Sequence, residues 1–135
     1  MGLNIVGYIT SDSLRTGFVS QQVQNQAIGS FLAGQSHLFL LSWTEFKGCA
    51  PFIFRSLLKE KFYDGICFYS LEQLASFPES MEVLKSLSSS GRWTGFAKEG
   101  VFFQGALGFQ EIARLWWLKS EFERPRLDLD SLWRG

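Results

Sequence analysis

Three short polar strings hold most of the side chains in this chain that could do chemistry, and each closes an apolar run. Ser11 follows residues 3–9. Ser42-Trp43-Thr44-Glu45 closes residues 37–42, and Tyr69-Ser70-Leu71-Glu72-Gln73 closes residues 63–69. A fourth group, Gln21, Gln22, Gln24, Asn25 and Gln26, opens a stretch with helical spacing. In an open α/β sheet, ligands bind just outside the carboxyl ends of the strands. Three polar strand ends therefore predict a site.

Each residue type has its own chemistry. Ser11 can serve as a nucleophile or as a phosphate-binding hydroxyl, but no evident base sits beside it, and Ser-Asp-Ser is also ordinary turn chemistry. The amides of Gln22, Gln24 and Asn25 suit sugar hydroxyls or a base edge without imposing charge. The same amides could equally form a solvated polar face. Glu45 and Glu72 follow their strands at similar distances. Two carboxylates of unequal burial can act as acid and base or share a metal, and the plainer reading is two surface acids. Cys49 precedes a predicted helix start, where a thiolate would be stabilised; otherwise it is a passive loop cysteine. The single histidine, His37, begins a strand at the end opposite the polar strings, which is the wrong place for a base.

The elements that must position these groups read as strands alternating with helices. Residues 3–9 form a buried strand. A helix over 19–34 starts with Ser20 as N-cap and stops at Gly34. A second strand covers 37–42. Pro51 suits the first turn of a helix over 52–61, and a third strand covers 63–69. Ser76-Phe77-Pro78-Glu79 opens a further helix that ends at Ser88-Ser89-Ser90-Gly91. Residues 92–97 and 100–104 pair as a hairpin around Glu99-Gly100. Residues 109–122 form a helix apolar over more than one face, buried between layers or between subunits. The alternation implies βαβ units. The expected fold is therefore a three-layer α/β domain, resolvase-like or flavodoxin-like, with a mainly parallel sheet of four to five strands. It spans residues 1–123 and leaves 124–135 as an arm or tail.

Composition narrows the class. The chain has 135 residues, 46% apolar and 19% charged, which suits one folded domain. Thirteen basic residues balance thirteen acidic ones. With no basic surplus, nucleic acid is not an expected partner, and zero net charge favours a homo-oligomer. Cys49 and Cys67 have no zinc spacing, and one histidine excludes a multi-histidine zinc site. Glycine-rich dinucleotide and phosphate-loop fingerprints are absent. There is no signal-peptide pattern, Val6 breaks the myristoylation pattern begun by Gly2, and no run of about 18 apolar residues occurs. The expected location is the cytoplasm, with no membrane span.

Two family resemblances refine this reading. Gly7-Tyr8-Ile9-Thr10-Ser11, then Gln24 and Leu71-Glu72-Gln73-Leu74, resemble the catalytic domain of small serine recombinases, in which Ser11 would match the nucleophile, Gln24 the helix glutamine and Glu72 the acidic residue. The arginines that this family sets against DNA phosphates are missing: Ile9 and Thr10, Gln73 and Ser76 stand in those places. Without them the phosphodiester transition state lacks charge stabilisation, so the resemblance implies fold and not recombination. A closer resemblance covers most of residues 7–75. Gly7-Tyr8-Ile9, Gln22-Val23-Gln24-Asn25, Leu40-Leu41-Ser42 with Thr44-Glu45-Phe46, Gly48-Cys49, Asp64-Gly65-Ile66 and Tyr69-Ser70-Leu71-Glu72-Gln73-Leu74 are similar, in order, to the sporadic carbohydrate cluster protein family. Here Gln22 replaces that family's histidine and Glu72 an apolar residue. The resemblance implies a part in making or modifying a surface polysaccharide or lipopolysaccharide sugar.

Together these point to a sugar or nucleotide-sugar bound at the strand carboxyl ends. Gln22, Gln24, Asn25, Ser42, Thr44, Tyr69, Ser70 and Gln73 would line the site. Glu45 is the acid/base candidate, and Ser11 and Cys49 are the nucleophile candidates. No cofactor is identified. The alternative is a non-catalytic scaffold that uses Trp116, Trp117 and Phe122 as its interface.

Overall fold

β1 (Asn4–Thr10) forms because residues 5–9 are all apolar apart from Gly7, and every residue from Ile5 to Thr10 is buried. It lies inside a sheet of order β2-β1-β3-β4-β5, made with β2 (Leu38–Glu45), β3 (Gly65–Phe68), β4 (Trp93–Phe96) and β5 (Val101–Gln104). The first four strands run parallel, and β5 returns antiparallel as a hairpin with β4. These positions come from a computed structural model that describes residues 2–11, 14, 17–46, 52–76, 86 and 89–104. Cys49, the helix expected over 109–122 and the arm 124–135 lie outside the described residues, as does most of the helix expected from Ser76.

The three layers follow from strand alternation and connection handedness. α1 (Gln21–Gly34) carries the chain from β1 to β2, and α2 (Phe52–Leu58) carries it from β2 across β1 to β3. Right-handed crossovers in opposite directions place the two helices on opposite faces. The core divides accordingly. On one face Val6, Tyr8, Ile66, Phe68 and Phe96 pack with Phe54 and Leu57 of α2. On the other, Ile5, Ile9 and Cys67 pack with Ile28 and Leu32 of α1. The connection reverses direction between β1 and β3, the position where doubly wound sheets of this order open a crevice. Gly65 permits close approach of β4: a Cβ there would lie 2.6 Å from the Trp93 carbonyl oxygen. No helix among the described residues is long and apolar enough to cross a membrane.

Several boundaries differ from the sequence reading, each for a local reason. β2 continues three residues past Ser42, because Trp43, Thr44 and Glu45 pair with Tyr8, Ile9 and Thr10. It is also the outer strand, not a buried one, with Leu38, Leu40 and Leu41 exposed. Ser20 caps α1 as expected, its Oγ accepting the Val23 N–H at 3.2 Å. The chain leaves α1 beyond Gly34, at Ser36 (φ 61°), and His37 N–H reaches back to the Leu32 carbonyl at 2.9 Å. α2 stops at Leu58, short of Lys61. There Arg92 donates to the Leu58 carbonyl at 3.2 Å, bonds the Glu60 carbonyl and the Tyr63 hydroxyl, and sits 4.3 Å over the Tyr63 ring. Cationic donors at a helix C-terminus satisfy its last carbonyls.

Candidate functional site

The four parallel strands end on one edge, and side-chain bonds to backbone stitch those ends together. Gln24 lies on the buried stripe of α1, one turn before Ile28, and is fully buried. Its Oε1 accepts the Thr10 N–H at 3.0 Å, and its Nε2 donates to the Thr10 and Val19 carbonyls, each at 2.8 Å. The amide thus behaves as one more rung of sheet, fixing the end of β1 and the last part of the β1–α1 loop. Gln73 does the same between β3 and β1: its Oε1 accepts the Ser70 N–H at 3.0 Å and its Nε2 donates to the Tyr8 carbonyl at 3.0 Å. A buried backbone group without a partner costs about 1–3 kcal/mol, which explains why two glutamines are held inside.

The carboxylates are committed in the same way. Glu45 is buried at the end of β2. Its Oε1 accepts the Tyr8 hydroxyl at 2.6 Å, and its two oxygens accept the Ile53 N–H at 3.0 and 3.1 Å, so the carboxylate caps the start of α2. The reading of Glu45 and Glu72 as surface acids is therefore corrected: both are buried. Glu72 pairs with Lys98 at 3.3 Å, with relative side-chain exposures of 1% and 41%. The two acids face different partners, Glu45 the α2 start and Glu72 the β4–β5 turn, and they are not joined to each other by any bond described. The 3-10 helix Leu71–Ser76 that follows β3 also has an acid at its start. Glu99 Oε2 accepts the Ser70 hydroxyl at 2.8 Å and its Oε1 accepts the Leu71 N–H at 3.0 Å, while Ser70 Oγ accepts the Glu72 N–H at 3.1 Å.

What remains open to solvent on this edge is more modest. Ser11, half-buried, donates its N–H to the Glu45 carbonyl at 3.0 Å, and its Oγ stands 3.5 Å from that oxygen. Asn25 and Ser42, also half-buried, are bonded to each other across α1 and β2. Thr44 and Tyr69 are half-buried, and Gln22 is exposed. The structure thus joins Ser11 to Glu45, Asn25 to Ser42, and Ser70 to Gln73. Tyr8, Lys98 and Glu99 are missed by the sequence reading. Glu99 was within reach of it, since it follows a fourth strand end as Glu45 and Glu72 follow theirs; Tyr8 looks like plain core.

Two electrostatic consequences follow. Burial first, and then the hydrogen bond and charge of Glu45, push the Tyr8 phenol far above its ordinary range, so it is a fixed neutral donor. Burial likewise pushes the Cys67 thiol up, which removes its nucleophilicity and leaves it a small core residue. Among the described residues, no three histidine, cysteine, aspartate or glutamate side chains come together in a way that could hold a metal ion. Comparison with protein-family models, with curated proteins and with solved structures finds no match to this chain.

Proposed function

We propose that this chain binds a sugar or nucleotide-sugar at the carboxyl edge of its sheet, as a component of surface polysaccharide or lipopolysaccharide synthesis. The observation that carries the reading is that the strings similar to the carbohydrate-cluster family are bonded to one another, Asn25 to Ser42 and Gln73 to Tyr8, or to the two residues that follow Gly7-Tyr8-Ile9, Gln24 to Thr10 and the Glu45 carbonyl to Ser11. Each bond fixes a strand end or helix start in place. Among the groups open to solvent, Ser11, Asn25, Thr44 and Tyr69 offer hydroxyls and an amide, which match the donors and acceptors of a sugar ring. Gln24, Gln73 and Glu45 serve this reading as the frame of the site. Ser11, Asn25, Thr44 and Tyr69 serve it as the contact groups. The buried free thiol of Cys67 fits a reducing compartment, in keeping with a cytoplasmic location.

The test is a thermal-shift series with monosaccharides, sugar phosphates and nucleotide-sugars. A ligand at a hundredfold excess over its Kd stabilises the native state by about 2.7 kcal/mol. The reading expects a rise in Tm with one of these classes, lost in the double variant Ser11→Ala, Tyr69→Phe. No shift with any sugar at millimolar concentration refutes it.

A further inference from the structure

Two phenylalanines stand open where the strand ends are otherwise polar. Phe18, near the end of the β1–α1 loop, is 68% exposed, and Phe46, directly after β2, is 61% exposed. No other large apolar side chain among the described residues is as open. A single exposed apolar residue calls for no explanation. Here the two most exposed ones flank the same strand end. Gln24 Nε2 donates to the Val19 and Thr10 carbonyls at 2.8 Å each, which brings Phe18, the residue before Val19, to the end of β1 from the α1 side. The Ser11 N–H donates to the Glu45 carbonyl at 3.0 Å, which brings Phe46, the residue after Glu45, to the same end from the β2 side. Both positions are tied down. Leu14 is buried, and Leu14 and Gly17 exchange two backbone bonds at 2.9 Å just before Phe18. Gly17 takes φ 129°, which a side chain would strain, and Ser20 caps α1 just after. Glu45, just before Phe46, is held by Tyr8 and the start of α2. The fold gives Leu14 of the same loop a place in the core and leaves Phe18 in water.

We infer that Phe18 and Phe46 form the stacking platform of this edge, taking the face of the ligand's ring while Ser11, Asn25, Thr44 and Tyr69 meet its polar rim. The assignment rests on the sugar or nucleotide-sugar site proposed for this edge and names what holds the ring there. A phenyl ring has a negative π face and no polar atom, so it selects a surface that is uncharged and either flat or lined with C–H groups. A nucleotide-sugar carries two such surfaces. Its base stacks on aromatic side chains whatever its sequence identity, because every base has a π face. Its pyranose presents C–H groups on one face and hydroxyls at the rim. Hydroxyls and an amide alone fix the rim of a ring and leave its faces in water; two phenylalanines beside them cover a face.

Titration calorimetry on the whole chain tests this, with uridine, cytidine, guanosine and thymidine diphosphate sugars, the matching nucleoside monophosphates and free monosaccharides as probes. Phe18→Leu and Phe46→Leu keep an apolar side chain and lose the π face. Each should weaken binding about tenfold, with the ligand-free Tm unchanged because both positions are exposed. Phe18→Tyr and Phe46→Tyr should bind as the parent does. So should Phe62→Leu, exposed before β3 at the opposite end of the strands. Monophosphate binding with the same loss in the leucine variants assigns the platform to the base, and monosaccharide binding with that loss assigns it to the sugar; both support the inference. A ligand that either leucine variant binds as tightly as the parent overturns the inference and leaves the proposed function standing. Equal weakening in the tyrosine variants or in Phe62→Leu overturns it as well. A parent chain that binds no probe at millimolar concentration overturns both.

Discussion

The hydroxyl of Tyr8 on β1 donates to Glu45 Oε1 on β2 at 2.6 Å, and that same oxygen accepts the Ile53 N–H at 3.0 Å. One carboxylate thereby joins two strands to the start of a helix. Tyr8→Phe removes a bond to a charged acceptor and should lower stability by about 2 kcal/mol. Glu45→Gln places an amide where both oxygens accept N–H groups, and a similar loss of about 2 kcal/mol is expected. Urea denaturation of the two variants measures both.

The same pair sets an alkaline limit. Burial and Glu45 raise the Tyr8 pKa, so the native state holds that proton more tightly than the unfolded chain does. The resulting stability is whole below the ordinary tyrosine pKa of about 10 and is lost as pH climbs above it. Burial also raises Tyr63, against the opposing effect of Arg92. Tyr8→Phe should therefore flatten, without abolishing, the fall in Tm above about pH 10. An unchanged alkaline slope in Tyr8→Phe would refute the assignment.

Gln24 should tolerate no close analogue. Gln24→Leu strips three bonds and strands the buried backbone of Thr10, costing about 3 kcal/mol. Gln24→Glu should cost at least as much near neutral pH, because an ionised carboxylate offers only acceptors to the Thr10 and Val19 carbonyls. Chemical denaturation of both variants at pH 7 and at pH 4 checks this, with Gln24→Glu expected to recover partly at the lower pH as its carboxyl gains a proton.

Two strand glycines should respond differently to alanine. A Cβ on Gly65 meets the Trp93 carbonyl oxygen at 2.6 Å and Trp93 Cβ at 2.7 Å, so two paired strands would have to separate. A Cβ on Gly7 meets the Ser42 hydroxyl at 2.9 Å and the rim of the Phe39 ring at 3.0 Å, both ends of side chains that can turn. Gly65→Ala should cost about 3 kcal/mol and Gly7→Ala about 1 kcal/mol. Equal Tm losses would contradict the geometry.

The periodicities that made the fold legible were those of the central elements. Unbroken apolar runs marked β1 and β3, the Ser20 cap marked the start of α1, and Gly100, at φ 70°, marked the turn between β4 and β5. Failures came where a distant side chain decides the outcome. Sequence spacing carries α2 to Lys61, whereas Arg92 meets its last carbonyl at Leu58. Gln24 reads as a ligand contact or a solvated amide until Thr10 is placed against it. Trp43, Thr44 and Glu45 read as a loop because edge strands accept polar residues. For the candidate site, the neighbourhood was readable and the duties were not: spacing cannot tell an amide offered to a ligand from one spent on backbone.

Borrowed helix starts have a bearing on how the molecule opens. α2 begins on an acid supplied by β2 and steadied by β1, and the 3-10 helix after β3 begins on an acid supplied by the β4–β5 turn. Each segment also has a local start signal, Pro51 before α2 and Ser70 with Gln73 at the 3-10 helix, but the distant carboxylate adds bonds that neither has when it forms alone. Fraying of either is tied to separation of strands far away in the chain, which makes this edge one cooperative unit. The amides of Ile53 and Leu71 should exchange by the same slow, large-scale opening as those of β1, and not by the fast local route usual for short surface helices.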